Sequence, residues 1–101
     1  AHADIVLSAH SHNYQRWKPQ DPEGTADPGR GIRQFVVGTG GASKYPLRSG
    51  AKPSNLAAAQ DDAFGILRIT LLRARYSWEW VTAAGQPAGF EDAKTKSVGC
   101  V

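Results

Sequence analysis

The 101-residue sequence predicts a β-rich unit, made of strands and long loops and expecting further layers from elsewhere. Three observations predict this. Four segments carry strand patterns and, with the adjoining Ile32, hold 14 of the 19 Leu, Ile, Val and Phe residues, so the core is built from strands. Those 19 are few for the length, while Ala alone supplies 15, so the chain folds around a thin core of its own. Two connections, residues 18–31 and 40–62, are long and rich in Pro and Gly, which is uncommon inside a compact unit unless the loops function or cover something.

The elements follow in order. Residues 4–8 (DIVLS) form a short continuous apolar run, as expected of a strand covered on both faces. Residues 18–31 (KPQDPEGTADPGRG) cannot be regular structure. Residues 34–38 (QFVVG) repeat the apolar pattern and end in glycines. In residues 40–62 only LAAAQ stands out, as one helical turn. Residues 63–72 (AFGILRITLL) alternate in their second half, with Leu67, Ile69 and Leu71 on one face and Arg68 and Thr70 on the other. Residues 76–82 (YSWEWVT) place Tyr76, Trp78 and Trp80 on one face, and the short link through Arg73, Ala74 and Arg75 predicts an antiparallel hairpin. The tail, residues 83–101, has no periodicity and is expected to be poorly defined, lying on the surface or on a partner. The whole, residues 1–101, reads as one partial domain. With no methionine present and Ala1 running at once into a strand, a piece of a longer protein is the simplest expectation.

Composition excludes several classes. No run approaches the roughly 18 apolar residues that span a bilayer, and AHADIVLSAH has no basic or hydrophobic leader region. No membrane partner is expected. The net charge of +3 comes without any block of like charge, so no nucleic-acid partner is expected either. One cysteine, Cys100, cannot close an internal disulfide.

The chemistry-bearing stretch is IVLSAHSHNYQR, where an apolar strand runs straight into His10-Ser11-His12. At a period near two, both imidazoles point to one side. They leave the C-terminal end of a strand, which is where open α/β sheets bind their ligands. Such a pair is half a metal site; imidazole suits Zn, Fe, Ni or Cu, and it ligates only as the neutral ring, so acidification weakens binding. The same spacing also suits surface or hydrogen-bonded histidines.

The stretch ADIVLSAHSHNYQRW, followed by GIRQFVVGTGG, DDAFGILRITL and YSWEWV, resembles the C-terminal portion of calcineurin-like metallophosphoesterases, nearest to the purple-acid-phosphatase-like bacterial group. Their last signature block is Gly-His-x-His continuing with an aromatic and Glu-Arg; here it reads Ala9-His10-Ser11-His12-Asn13-Tyr14-Gln15-Arg16. The resemblance implies a β-rich piece of a four-layer α/β-β/α sandwich. It also implies phosphate-ester hydrolysis by a metal-bound hydroxide at a binuclear site, with His10 on the second metal and His12 on the first. Two divalent or trivalent ions are implied, among which Fe, Zn, Mn and Mg are not distinguished. The implied partners are a phosphate ester and the N-terminal part of the same domain, and a secreted or periplasmic location follows from the resemblance alone. Tyr14 and Arg16 stand where they would make supporting contacts or touch substrate phosphate, for which an arginine fork is suited; a structural salt bridge is the other role open to Arg16.

The family's Asp-x-His, Gly-Asp and Asn-His blocks do not occur in this sequence. Two imidazoles cannot hold two cations, so the chain is expected to be inactive alone. Ala9 replaces a glycine, which matters if φ there is positive, and Gln15 replaces a glutamate that could have paired with Arg16.

Other motifs carry weaker readings. Gly38-Thr39-Gly40-Gly41 lacks the third glycine of a dinucleotide loop, having Ser43 there, and reads as a tight turn lining the cleft. Asp21, Glu23 and Asp27 break calcium-loop spacing and read as a solvated turn. Tyr76, Trp78 and Trp80 could stack bases but suit a core face better. Cys100 with His2, His10 and His12 would make a mixed zinc set. The alternatives to a phosphoesterase segment are a non-catalytic domain holding one metal through the same histidines, and a basic module in which Arg73 and Arg75 bind an anionic partner.

Overall fold

In the computed structural model, residues 2–100 are described; Ala1 and Val101, the outer limits of the expected 1–101 unit and of its 83–101 tail, lie outside the described residues. Seven strands follow one another: β1 Ile5–Ser8, β2 Tyr14–Trp17, β3 Arg33–Val37, β4 Leu56–Gln60, β5 Gly65–Leu71, β6 Arg75–Thr82 and β7 Ala93–Gly99. They form a four-stranded sheet in the order β1-β3-β2-β4 and a three-stranded sheet in the order β5-β6-β7. The expected β-rich architecture is met. The α/β part of that expectation is not, because no helix occurs among the described residues. The physical reason is visible in the chain: its loops are broken by Pro and Gly, and its one helix-prone run is too short to nucleate.

That run, LAAAQ, is strand β4 and not a helical turn. β2 offers it an open edge, with Tyr14 opposite Gln60 and Trp17 opposite Leu56, and interstrand bonding outweighs alanine's mild helical preference. The Gln60 side chain then closes the following turn, accepting from Ala63 N at 2.9 Å and donating to Ala63 O at 3.0 Å.

Within the tail, expected to lie on the surface without regular structure, Ala93–Gly99 forms strand β7, mostly exposed. β7 pairs with β6 from Arg75–Gly99 to Glu79–Ala93, across an irregularity between Tyr76 and Trp78. Its sequence AKTKSVG holds one large apolar residue, so hydropathy gives no strand signal. What holds it is backbone pairing, with Arg75 Nε donating to Ser97 Oγ at 2.8 Å, and its lysines suit an edge strand.

Between the sheets lies an aromatic core. Tyr14 and Phe35 of the first sheet are fully buried and meet Tyr76, Trp78 and Trp80 of the second. Phe35 stands edge-on to Trp78 at 5.5 Å, and Tyr14 is tilted against Trp80 at 5.0 Å. Both are favourable arrangements for aromatic pairs. The row Tyr76, Trp78, Trp80 is therefore a core face, formed because β6 alternates against β5 with Leu67 opposite Trp80 and Ile69 opposite Trp78.

β1 differs from its expected environment. It pairs in parallel with β3 alone, and instead of being covered on both faces it leaves Val6 48% and Leu7 58% exposed. Ile66 and Leu71 on β5 are exposed as well. Apolar surface at β1 and β5, each an outer strand of its sheet, remains open to solvent.

Candidate functional site

β1 and β3 run parallel, so their C-terminal ends share one edge of the first sheet. From β1 leaves the loop carrying His10 and His12; from β3 leaves Gly38-Thr39-Gly40-Gly41. The two are in contact. A Cβ on Gly38 would collide with the Ser11 carbonyl and lie 2.6 Å from the Ala9 carbonyl, so only glycine lets the histidine loop seat there. Gly38 N donates to Asn13 O at 3.1 Å, and Thr39 Oγ1 donates to Gly65 O at 2.8 Å, tying the same turn to the second sheet. The glycine turn does lie against the histidine loop. A cavity of about 340 Å³ lined by Leu7, Ala9, Val37 and Leu67 opens beside this edge, between the ends of the two sheets.

Asn13, buried at the end of the loop, fixes its shape. It accepts from Ser11 Oγ at 3.3 Å and from Gln15 Nε2 at 2.9 Å, and donates to Tyr45 O at 3.1 Å. Tyr45 N in turn donates to His12 O at 2.9 Å. His12 is half-buried, stacked on Tyr45 with centroids 4.1 Å apart, its Nδ1 3.3 Å from Ser43 Oγ. His10 is exposed.

The two departures from the phosphoesterase block have structural accounts. Ala9 carries no strain, because no non-glycine residue among those described has positive φ. Gln15 donates to Asn13 and accepts from Trp17 Nε1 at 3.0 Å; an ionised carboxylate could accept but not donate.

Tyr14 and Arg16 do not join the histidines. They point between the sheets, where Tyr14 Oη donates to Asp92 Oδ2 at 2.7 Å and Arg16 forms a two-pronged pair with Asp92 at 2.9 and 3.0 Å. The salt-bridge role is the one that Arg16 fills here. Burial, and then the Asp92 hydrogen bond, push the Tyr14 phenol well above its ordinary range. Arg16 and Arg33 lie over the Trp78 ring, at 5.1 and 4.9 Å. Asp92 had no sequence signal; it sits in a tail without pattern, 76 residues from Arg16.

Among the described residues no group of three or more His, Cys, Asp or Glu could hold a metal ion, so the mixed set of Cys100, His2, His10 and His12 is not assembled. Asp21 and Asp27 do form turns, their carboxylates accepting from Thr25 N and Arg30 N, as their polar loop predicts. No family model, curated protein or solved structure matches this chain.

Proposed function

We propose that this chain is the segment of a metal-dependent phosphoesterase domain that presents His10 and His12 to a shared binuclear site, and that the two outer helical layers and the remaining ligands come from other parts of a longer polypeptide. The observation that carries the reading is the shared edge. Two parallel strands end side by side, a glycine-dependent contact seats the histidine loop against the neighbouring turn, and β1 beside it leaves apolar faces uncovered. Bound there, divalent ions would supply Lewis acidity toward a phosphate ester. The chain's own contribution is positional. Asn13 and Tyr45 hold the loop, so His12 is oriented by stacking before any ligand arrives.

Calorimetric titration of the chain with Zn²⁺ or Co²⁺ tests this reading. One ion bound, lost on His10→Ala and on His12→Ala, is the expected result, together with no hydrolysis of p-nitrophenyl phosphate above the metal-only background. In the full-length gene product the same substitutions are expected to abolish phosphate-ester hydrolysis. Ion binding that survives both substitutions overturns the proposal. A full-length product that binds one ion through these histidines without hydrolysing esters favours the non-catalytic alternative instead.

A further inference from the structure

The outward face of β2 carries Gln15 and Trp17, on the side opposite Tyr14 and Arg16. There Gln15 and Trp17 form a hydrogen-bonded row with Asn13, the residue before the strand, and the row ends in a groove of about 500 Å³. That volume is in the range of small-molecule sites. The groove has an apolar body of Trp17, Leu47, Pro53 and Leu56, and the loop above contributes Arg48 and Lys52. No carboxylate lines it, and among the described residues neither cation is in an ion pair. The indole N–H is already donated to Gln15, so what Trp17 offers the groove is its ring.

We propose that this groove binds a flat aromatic group carrying an anionic substituent, either phosphate or carboxylate. An indole ring surrounded by aliphatic side chains favours a planar apolar body through stacking. Two unpaired cations of one sign then select for a negative charge, the arginine by its planar fork and the lysine as a point charge. The neighbouring 780 Å³ depression beside β1 lacks this complementarity, since Asp21 and Asp27 line it together with Arg30. Neither histidine lines the groove, and the inference requires that the outer helical layers of the proposed domain stop short of β2 and β4.

Calorimetric titration of the whole chain tests it, with adenosine 5′-monophosphate for the phosphate arm, indole-3-acetate for the carboxylate arm, and adenosine and inorganic phosphate as the separated parts. At least one aromatic anion is expected to bind one-to-one, about fivefold or more tighter than adenosine or phosphate, and more weakly as salt is raised. Which anion binds identifies the substituent. Trp17→Leu is expected to weaken binding about tenfold. The double variant Arg48→Ser, Lys52→Ser, confined to an exposed loop, is expected to reduce the anion to the level of adenosine while leaving the melting temperature unchanged. The double variant His10→Ala, His12→Ala is expected to bind as the parent chain does, which separates this proposal from the metal site. Absence of binding by both anions at millimolar concentration overturns the proposal, as does equal binding of adenosine and its monophosphate. Undiminished affinity in the loop variant overturns it even if Trp17→Leu fails to fold.

Discussion

Two residue pairs with the same spacing, His10/His12 and Tyr14/Arg16, stand four positions apart in one stretch of chain and have opposite fates. The histidines lie in a loop at an open sheet edge, one exposed and one half-buried, with a single side-chain hydrogen bond to Ser43 between them. Tyr14 and Arg16 begin a strand that turns them inward, and every polar group that they bring converges on Asp92. Alternation along a chain brings side chains together but does not decide which surface they face. That is decided by the strand pairing around them, which for Tyr14 and Arg16 closes on both sides and for the histidines stops. Access to solvent belongs to the first pair, and cohesion between the sheets to the second.

Substitutions that invert this division should differ most in effect. Asp92→Ala leaves a mostly buried guanidinium and a buried phenol without their acceptor. Losses of this kind cost about 3–5 kcal/mol, and urea unfolding is expected to show a loss of that size; a change below about 1 kcal/mol would remove the inter-sheet role given to this residue. Gly38→Ala attacks the open side through a close backbone contact, forcing a methyl group against the Ser11 and Ala9 carbonyls. A destabilisation of about 2 kcal/mol or more is expected, with faster hydrogen exchange at the amide of residue 38, which in the parent chain donates to Asn13 O. Gly40→Ala, where a Cβ would meet nothing within 4 Å, serves as the matched control with little change.

Tyr14→Phe removes one buried hydrogen bond and is expected to cost about 1–2 kcal/mol. It should also change the alkaline limb of stability. Buried Tyr14 keeps its proton beyond the ordinary phenol range, whereas in the unfolded chain it ionises near pH 10. Above that pH the unfolded state binds fewer protons than the native one, so this contribution is complete below about pH 10 and is lost as pH rises further. Urea midpoints compared between pH 8 and pH 11 should therefore fall more steeply for the parent chain than for Tyr14→Phe. Smallest of all, His10→Ala is expected to leave stability within about 0.5 kcal/mol, because the side chain is exposed. A large loss there would mean that the histidine loop is structural and the contrast between the two pairs false.

Legibility in the sequence followed residue chemistry. β5 and β6 were readable because Leu67 and Ile69 alternate with polar neighbours while Tyr76, Trp78 and Trp80 mark one face, and the structure buries that aromatic row. β2 was not, because its inward pair mixes an aromatic with an arginine and its outward pair mixes a glutamine with a tryptophan. No period-two hydropathy survives that mixture. β4 and β7 were hidden for a related reason: LAAAQ and AKTKSVG are strands because a neighbour has an open edge, and an open edge is not a property of the segment itself. The histidine loop could be located from its motif and the glycine turn read as lining the cleft, but the contacts by which Asn13, Tyr45 and Gly38 shape the loop could not be.

By itself, then, the order of residues determined the strand-built core, the place where two imidazoles leave an apolar strand, and the loops that proline and glycine keep irregular. These depend on neighbours a few positions away, through alternation and backbone preference. Only the tertiary structure decided that Arg16 would be closed by Asp92, that Gly38 would seat the histidine loop, and that an indole and two cations would meet over β2. Each of those depends on contacts between segments distant in the chain, and such contacts are set by sheet pairing and by the free energy of burying the surfaces between sheets, which no local pattern encodes.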